Sequence, residues 1–328
     1  MECVVVAGAG GFIGGHLVRR LREKTIIRAV DIKPIPEWEQ VHRGSHIVNY
    51  CLDLSDPRNC ERMCNGAKEV YNLAANMGGI GFIQNNRVDC MRNVLINANL
   101  LEAAYRSGVE KYFFSSSVCV YPYAVQATAH PRGMRETDAI PADPEPGYGW
   151  EKLYSEQMCQ EYTRERGLPT FIARFGNCYG PCGAWDNGRE KAPAAICRKV
   201  VEIIHNKLPA EIEVWGNGKQ TRTFMYIDDC LFGIRAIVNT PALAGVPVNM
   251  GATELVSIDE LVDVVADIAK IQLTKRYKPD AATGVVGRQI DNTLLKSHVN
   301  WEPRKPLVDG MHTTYDWIRH QHYIRNLK

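Results

Sequence analysis

The sequence lacks any long apolar run: no stretch of its 328 residues approaches the roughly 20 residues that a membrane-spanning helix needs. It also lacks a charge excess. With 39 basic and 37 acidic side chains the net charge is +2, so we expect neither nucleic acid nor a membrane surface as a partner. Repeats and low-complexity segments are absent, and no basic region precedes an apolar run at the start, so no signal peptide is expected. What remains is an ordinary globular composition, 45% hydrophobic.

The eleven cysteines show no pattern typical of a metal site or a disulfide framework. Their number is odd, their spacing is irregular, and Cys60 and Cys64 are too isolated to indicate zinc. We therefore expect reduced thiols, a cytoplasmic location and no metal. Most of these cysteines should be small core residues, so a reactive thiol must be identified from its surroundings.

Apolar runs alternate with helical segments through the first half of the chain. The runs are near-continuously apolar, as in parallel strands covered on both faces, and they lie at residues 3–7, 26–30, 69–73, 111–115 and 170–174. Helices are predicted at about 14–22, 91–107 and 192–205, and a hairpin-like piece around 215–218. This order predicts an α/β fold with a Rossmann-type doubly wound parallel sheet and a smaller C-terminal substrate-binding domain.

The composition of the sequence changes after residue 175, where Gly and Pro become frequent. We expect an NAD-binding Rossmann domain over residues 1–175, with residues 223–248 returning to it. The substrate-binding domain is then predicted to combine residues 176–222 and 249–328.

A glycine-rich turn directly follows the first predicted strand and opens the first predicted helix. It has the pattern Gly-x-x-Gly-x-x-Gly at Gly8, Gly11 and Gly14, with Phe12 and Ile13 between the last two. Such a turn lets a pyrophosphate approach backbone N–H groups and the positive end of the helix dipole. The alternative is a turn with no ligand, but the position at the start of the chain favours a dinucleotide site.

A carboxylate follows the second predicted strand at the position expected for a ribose ligand. Asp31 can accept hydrogen bonds from ribose hydroxyls and would repel a 2′-phosphate, which favours NAD over NADP, although the nearby Lys33 would tolerate NADP. Asp53 is expected near the adenine end of the cofactor. The alternative is that Asp53 is an ordinary carboxylate in a turn, with no part in cofactor binding.

A second motif predicts hydride chemistry. Tyr148 and Lys152 are four residues apart and so lie on one helix face. A phenol with a pKa of about 10 is a poor base at neutral pH, but an ammonium and the positive nicotinamide ring would stabilise the phenolate. Tyr148 would then take a proton from a sugar hydroxyl while hydride leaves for NAD, and Lys152 would hold the nicotinamide ribose. Ser117, at the end of a Ser-Ser-Ser run, is expected to hydrogen-bond the reacting hydroxyl.

Together these residues resemble the extended short-chain dehydrogenase/reductase superfamily over nearly the whole chain. Three stretches are similar to the GDP-mannose 3,5-epimerases within it: 76–84 (Asn-Met-Gly-Gly-Ile-Gly-Phe-Ile-Gln), 116–122 (Ser-Ser-Val-Cys-Val-Tyr-Pro) and 188–195 (Gly-Arg-Glu-Lys-Ala-Pro-Ala-Ala). Ordinary sugar 4-epimerases share the glycines and the Tyr-Lys pair but not the last run. Sugar-nucleotide 4,6-dehydratases carry an acidic pair where this chain has Val118 and Cys119.

The resemblance implies conversion of GDP-mannose to GDP-L-galactose and GDP-L-gulose. NAD oxidises C4 to a ketone, which makes the protons on C3 and C5 acidic, and C4 is finally reduced again. Cys119 is implied as the base and Lys191 as the acid on the opposite face of the ring. The ordinary pKa values agree in direction, because a thiol at about 8.5 ionises before an ammonium at about 10.4.

The resemblance also implies a homodimer, formed through the helices near 91–107 and 149–165. The residues that match substrate contacts of that family are Gly78, Gly79, Ser117, Asn177, Glu190, Lys191, Lys199, Gln220, Arg222 and Arg288. Arginine suits a diphosphate because its planar fork pairs with two phosphate oxygens. Two alternatives stay open: a UDP-sugar 4-epimerase, which needs Tyr148 but neither Cys119 nor Lys191, and a catalytically silent NAD-binding protein.

Overall fold

The computed structural model describes residues 2–23 and 25–327. In these ranges the strands are β1 Cys3–Ala7, β2 Ile26–Asp31, β3 Ile47–Cys51, β4 Glu69–Asn72, β5 Lys111–Ser117, β6 Thr170–Phe175, β7 Asn177–Tyr179, β8 Glu211–Trp215, β9 Thr221–Tyr226, β10 Pro247–Met250, β11 Leu255–Ser257 and β12 Thr274–Lys278. The helices are α1 Phe12–Leu21, α2 Pro57–Cys64, α3 Ile80–Asn85, α4 Arg87–Met91, α5 Asn93–Arg106, α6 Tyr148–Arg166, α7 Ala192–His205, α8 Ile227–Val238, α9 Ile258–Ala269, α10 Thr293–His298 and α11 Leu307–Asn326. None of these helices has the length and apolar character needed to cross a membrane.

The main sheet has seven parallel strands in the order β10-β6-β5-β4-β1-β2-β3. The chain moves outward from β1 in one direction through β2 and β3, then returns to the other side of β1 with β4. A crevice forms at such a reversal, at the carboxyl ends of the central strands, and ligands of doubly wound sheets bind there. The predicted Rossmann-type fold is confirmed.

Both faces of the main sheet are covered, which explains the continuous apolar runs. In β1, Val4 and Val6 join one hydrophobic cluster, while Val5 and Ala7 join the cluster on the opposite face. Side chains alternate between the two faces of a strand, so a strand with two covered faces is apolar at every position.

The remaining strands form two small sheets, and here one prediction is wrong. The Gly-rich piece at 215–218 is not a hairpin: β8 pairs in parallel with β12, whereas β9 pairs with β7 and β11. Gly216 and Gly218, both with positive φ, turn the chain from one sheet into the other. The reason is that the partner of β8 lies some sixty residues later in the chain, beyond the reach of a local pattern.

Several predicted helices have different limits in the structure. The helix predicted at 91–107 corresponds to α5, which begins at Asn93 and ends at Arg106, while Met91 is the last residue of the separate helix α4. α1 begins at Phe12, two residues before the predicted start, whereas α7 has the predicted limits. The main sheet takes strands from residues 3–175 and, with β10, from 247–250, while β9 belongs to a small sheet. The domain limits themselves stay a prediction.

Candidate active site

The turn between β1 and α1 leaves no room for side chains, as a dinucleotide cradle requires. Gly8 has φ +81°, and a Cβ on Gly14 would lie 2.1 Å from the carbonyl oxygen of Gly8. The Gly11 N–H donates to that same carbonyl oxygen at 3.0 Å, and α1 begins at the next residue. The first-turn N–H groups of Phe12, Ile13 and Gly14 have no acceptor within the helix, so they can bind phosphate oxygens.

Asp31 ends β2 beside this turn. Its Oδ2 accepts from Gly10 N–H and its Oδ1 from Lys33 N–H, both at 3.0 Å, which fixes the buried carboxylate at the edge of the cradle. The Lys33 ammonium donates a hydrogen bond to the Gly10 carbonyl oxygen at 2.5 Å. In this position it binds the backbone and does not extend toward the site of a 2′-phosphate. Asp53 is exposed, and its Oδ1 accepts from Ser55 N–H at 2.8 Å. Its place at the adenine end stays a prediction.

Three predicted hydride-transfer residues come together at the carboxyl end of β5. Ser117 is the last residue of that strand, and Tyr148 opens α6. Tyr148 lies close enough to Ser117 for the Ser117 hydroxyl to lower the pKa of Tyr148. Lys152, one turn along α6, is 1% exposed, and its ammonium lies 5.5 Å from the centre of the Tyr148 ring and 4.7 Å from that of Phe114.

The protein groups around Tyr148 act against the expected ionisation of its phenol. Burial raises the pKa of Tyr148 well above its usual value, and negative charge on Cys119 or Glu151 adds to this, while the Ser117 hydroxyl opposes it. The Lys152 ammonium faces Glu151, whose Oε2 lies 3.7 Å away. That Lys152 and the positive nicotinamide ring together favour the phenolate stays a prediction.

Cys119 is held against the start of α6. It lies in a short 3-10 turn, Val118–Val120, that directly follows β5. Its carbonyl oxygen accepts from Glu145 N–H at 3.0 Å, and its own N–H donates to Ser117 Oγ at 3.2 Å. A Cβ on Gly149 would lie 2.3 Å from the same carbonyl oxygen, so only glycine lets the helix approach this closely. Cys119 and Tyr148 therefore share one hydrophobic cluster.

Lys191 reaches the site from a different part of the chain. The segment before α7 packs on the loop that precedes α3: Gly79 N–H donates to the Arg189 carbonyl oxygen at 2.9 Å. A Cβ on Gly79 would lie 2.5 Å from the Glu190 carbonyl oxygen, and one on Gly78 would lie 3.2 Å from Arg189 Cα. The two sequence motifs at 76–84 and 188–195 are thus in direct contact.

The environment of Lys191 makes its ammonium a stronger acid. Lys191 is partly exposed to solvent, but protein atoms surround most of it. This burial lowers the pKa of Lys191. Negative charge on Cys119 or Cys178 acts in the opposite direction, and the positive charge of Arg288 assists the lowering. The Cys119 thiol, the Lys191 ammonium and the Arg288 guanidinium are thus within electrostatic range of one another. The ammonium therefore releases its proton at lower pH than a free lysine does.

Two arginines lie beside Cys119 and Lys191: Arg288 is buried, and Arg222 is partly buried. Arg288 donates from Nε to Gln126 Oε1 at 2.6 Å and from Nη1 to Cys119 Sγ at 3.6 Å. Among the residues described, the acceptors of Arg222 are backbone carbonyl oxygens, those of Thr221, Thr283 and Val285. Burial and the neighbouring Arg288 charge lower the pKa of Arg222 to about 9. Neither guanidinium forms an ion pair with a carboxylate within the described ranges, so this region has uncompensated positive charge that suits an anion.

The other predicted substrate residues make mostly structural contacts. Asn177 donates to the Thr223 carbonyl oxygen at 3.2 Å, and Gln220 to that of Trp215 at 2.7 Å. Lys199 donates to the Glu213 carbonyl oxygen at 2.8 Å, on β8. Glu190 Oε1 lies 3.3 Å from the Arg198 guanidinium, while Oε2 is buried with no partner among the residues described. Roles in substrate binding stay predictions for these four.

Sequence reasoning missed several polar residues beside Cys119 and Lys152. Glu145 is buried and accepts from Tyr123 Oη at 2.6 Å, and Glu151 faces Lys152. Arg189 ties the two motifs together by donating to Asn76 Oδ1 at 2.7 Å. Glu151 and Arg189 lie inside the quoted motifs and could have been singled out there. Tyr123 and Glu145 are far apart in sequence, and no local pattern signals their contact.

Comparison with known proteins agrees with this geometry. A model of the NAD dependent epimerase/dehydratase family matches residues 4–251, more than half of the chain. The chain therefore belongs to that family, and NAD is its cofactor. The glycine cradle, the free N–H groups of α1 and Asp31 fit this dinucleotide.

Within that family the chain belongs with the GDP-mannose 3,5-epimerases. It is 40% identical over 323 residues to GDP-mannose 3,5-epimerase 1 of Oryza sativa subsp. japonica, covering 97% of this chain and 82% of the rice protein. It is 38% identical over 327 residues to GDP-mannose 3,5-epimerase of Arabidopsis thaliana, with the same coverage of each chain.

Solved structures share the fold. UDP-glucose 4-epimerase of Thermotoga maritima, solved with UDP-glucose, superposes with a TM-score of 0.86 at 22% identity over 98% of this chain and 100% of that one. UDP-glucuronic acid 4-epimerase of Bacillus cereus, in complex with UDP-glucuronic acid and NAD, gives 0.82 at 23% identity over 98% and 100%.

Proposed function

We propose that this protein is an isomerase that converts GDP-mannose to GDP-L-galactose and GDP-L-gulose with tightly bound NAD. The observation that carries the proposal is that Cys119 packs with Tyr148 beside the Ser117–Tyr148–Lys152 group and that Lys191 lies within electrostatic range of Cys119. Those five side chains come from three separate segments of the chain. A simple 4-epimerase would need only Ser117, Tyr148 and Lys152. The relatives at 38–40% identity support GDP-mannose as the substrate.

The first task of the site is to move the proton of the C4 hydroxyl. NAD, held by the glycine turn, the first N–H groups of α1 and Asp31, would supply a reversible hydride acceptor and a positively charged ring. Tyr148 accepts the hydroxyl proton and later returns it, and Ser117 holds the oxygen in place. Burial raises the pKa of Tyr148, so the positive charges of Lys152 and the nicotinamide ring would be needed to keep it as the phenolate that accepts this proton.

The second task is inversion at carbon. A C4 ketone makes the protons at C3 and C5 acidic. We propose that Cys119 removes such a proton as a thiolate and that Lys191 returns one to the opposite face as an ammonium. Arg288, which donates to Cys119 Sγ, stabilises negative charge on that sulfur. The lowered pKa of Lys191 brings its proton transfer closer to neutral pH.

The third task is to hold the nucleotide. Arg288, which is buried, and Arg222, which is partly buried, supply two positive charges without an ion-paired carboxylate in the part of the chain described. Guanidinium groups pair bidentately with phosphate oxygens, so the diphosphate is the group that best compensates them.

Substrate choice is tested by product analysis. Purified protein is incubated separately with GDP-mannose and with UDP-glucose, and the hexoses are identified by NMR after hydrolysis. We expect L-galactose and L-gulose from GDP-mannose and no galactose from UDP-glucose. Galactose from UDP-glucose, with GDP-mannose unchanged, would favour the UDP-sugar 4-epimerase instead. No conversion of either sugar by NAD-loaded protein would favour a silent NAD-binding protein.

We also propose a homodimer formed through α4, α5 and α6. These helices pack together and leave large apolar side chains in solvent: Val88 and Tyr154 are 73% and 59% exposed, and Met91, Leu95 and Trp150 are exposed as well. Several exposed apolar side chains on neighbouring helices are typical of a protein interface.

The predicted division into a Rossmann domain, residues 1–175 with 223–248, and a substrate-binding domain, residues 176–222 and 249–328, is retained as a proposal. All eleven cysteines are free thiols, which supports a reducing compartment such as the cytoplasm.

A further inference from the structure

The guanidinium of Arg189 binds neutral groups in the part of the chain described, and all of them belong to the segment 76–84. Its Nη1 donates to Asn76 Oδ1 at 2.7 Å and to the Met77 carbonyl oxygen at 3.1 Å. Its Cζ lies 4.0 Å from the centre of the Phe82 ring, so the guanidinium also stacks on an aromatic face. A planar guanidinium held on three sides fixes the chain that carries it, because little of its freedom remains.

The backbone is held unequally on the two sides of Arg189. Gly79 N–H donates to the Arg189 carbonyl oxygen at 2.9 Å, and the next carbonyl oxygen, that of Glu190, would lie 2.5 Å from a Cβ on Gly79. On the other side, Gly188 has φ +77°, and a Cβ there would meet no described atom within 4 Å. α7 begins directly after Lys191. Arg189 is therefore the point at which the chain is fixed before it presents Lys191.

The partners of Arg189 connect its segment to the hydride-transfer group. Met77 and Phe82 pack against the small hydrophobic cluster that contains Tyr148, and Cys119 packs against the same cluster. Cys119 itself is held separately, by the start of α6. The proposed base and the proposed acid thus come from different elements, and Arg189 joins the segment of the acid to the cluster that both share.

We propose that Arg189 is a positioning residue that holds the Lys191 ammonium on the face of the hexose opposite Cys119. This deepens the proposed function and rests on it. After the Cys119 thiolate has taken a proton from carbon, the resulting enolate can be protonated from either face. A proton from Lys191 inverts the carbon, whereas a proton or solvent deuteron returned by the Cys119 thiol restores the starting configuration. The placement of the ammonium decides between these outcomes.

The test measures both outcomes during early turnover of GDP-mannose by NAD-loaded protein in D₂O. Deuterium at C3 and C5 is determined separately in the recovered GDP-mannose and in the inverted hexoses. In Arg189→Met we expect the ratio of exchange to inversion to rise about tenfold, because a displaced ammonium transfers its proton poorly. Reduction of bound NAD should be unchanged, because Ser117, Tyr148 and Lys152 are intact.

Three further variants separate positioning from other effects. Arg189→Lys can donate to the same two oxygens and should recover most of the wild-type ratio. Asn76→Ala removes one acceptor and should raise the ratio by a smaller factor, with no added effect in Arg189→Met, since both changes break one contact. Arg319→Met is the control: Arg319 is an exposed arginine of α11 whose Nη2 lies 2.9 Å from Asp316 Oδ1, and its loss should leave the ratio unchanged.

A folded Arg189→Met protein with the wild-type ratio overturns the proposal. Equal losses of NAD reduction, exchange and inversion overturn it as well, because they would indicate a general loss of structure. If Arg189→Met does not fold, Asn76→Ala decides the same question.

A second measurement uses NAD-loaded protein without sugar. Amide hydrogen exchange in the segments 76–84 and 188–195 should be faster in Arg189→Met than in the wild type. Unchanged hydrogen exchange would contradict the positioning role of Arg189 whatever the activity. Wild-type protein that neither exchanges nor inverts GDP-mannose would instead contradict the proposed function, so the two failures are distinguishable.

Discussion

At the scale of the residue, surroundings separate Cys119 from the other thiols. Burial raises the pKa of Cys60 and of Cys64 to about 12, so these thiols are inert at neutral pH. Cys119 is partly exposed and receives a hydrogen bond from Arg288. Accessibility together with a neighbouring guanidinium is the environment in which a cysteine acts as a base or nucleophile.

Replacement of Cys119 should separate the two halves of the reaction. In Cys119→Ala we expect exchange of the C3 and C5 protons to fall by about two to four orders of magnitude, the usual contribution of a positioned acid or base. Reduction of bound NAD by GDP-mannose should persist, because Ser117, Tyr148 and Lys152 are intact. The exchange is followed by mass spectrometry and the reduction by nicotinamide absorbance.

The exposed thiol Cys51 provides the matched control, and Cys51→Ala should behave as the wild type in both measurements. Full exchange in Cys119→Ala would show that another group is the base.

The sequence made Cys119 and Lys191 visible only through the motifs around them, because a thiol among eleven and a lysine among many carry little information alone. Contacts such as Tyr123 with Glu145 could not be predicted. They join residues that share no local pattern and meet only because β5 and α6 are packed together.

At the scale of the element, the start of α6 must lie directly on the turn that carries Cys119. In Gly149→Ala the new methyl group would lie 2.3 Å from the Cys119 carbonyl oxygen, so the helix or the turn must move. We expect a loss of about 1–3 kcal/mol in the free energy of unfolding. Slower NAD reduction should accompany it, because Tyr148 is the adjacent residue. Denaturant titration and nicotinamide absorbance measure the two effects.

The control is Gly81→Ala, which also lies in a helix, α3. Its new methyl group would lie 3.5 Å from the Trp215 ring, an ordinary van der Waals distance. Equal stability losses in the two variants would contradict the importance of close packing at Gly149.

Five of the seven strands of the main sheet were predictable because burial on two faces makes them apolar throughout. The partly exposed β3 and the four-residue β10 were not predicted. The small sheets were not, since β8 is only alternately buried and its partner β12 is largely exposed and basic. A Gly-rich turn after β8 then resembles a hairpin, although the pairing is long-range. Local patterns report burial and turns, whereas strand partners depend on the rest of the chain.

At the scale of the whole molecule, the exposed apolar side chains of α4, α5 and α6 predict association. The wild-type protein should sediment with about twice the mass of its 36.8 kDa chain. The double variant Trp150→Glu, Tyr154→Glu should sediment as a monomer, because it introduces charge into the proposed interface. Phe232→Glu, an exposed aromatic on α8, is the control and should remain dimeric. A monomeric wild type at micromolar concentration would contradict the proposed dimer.

The order of the main sheet and the position of the crevice follow from the alternation of strands and helices, and both were predictable. The meeting of the 76–84 and 188–195 segments was implied only by resemblance. Its physical basis is the close backbone approach at Gly79, which a single sequence does not reveal.

The most direct measurement of the central claim is the position of solvent deuterium in the hexose after reaction of GDP-mannose in D₂O. Inversion through a C4 ketone, with Cys119 and Lys191 exchanging protons with solvent, predicts deuterium at C5 and C3 and none at C4. Products without deuterium at C3 and C5 would contradict the account, because the thiol and the ammonium would then have no part in the reaction.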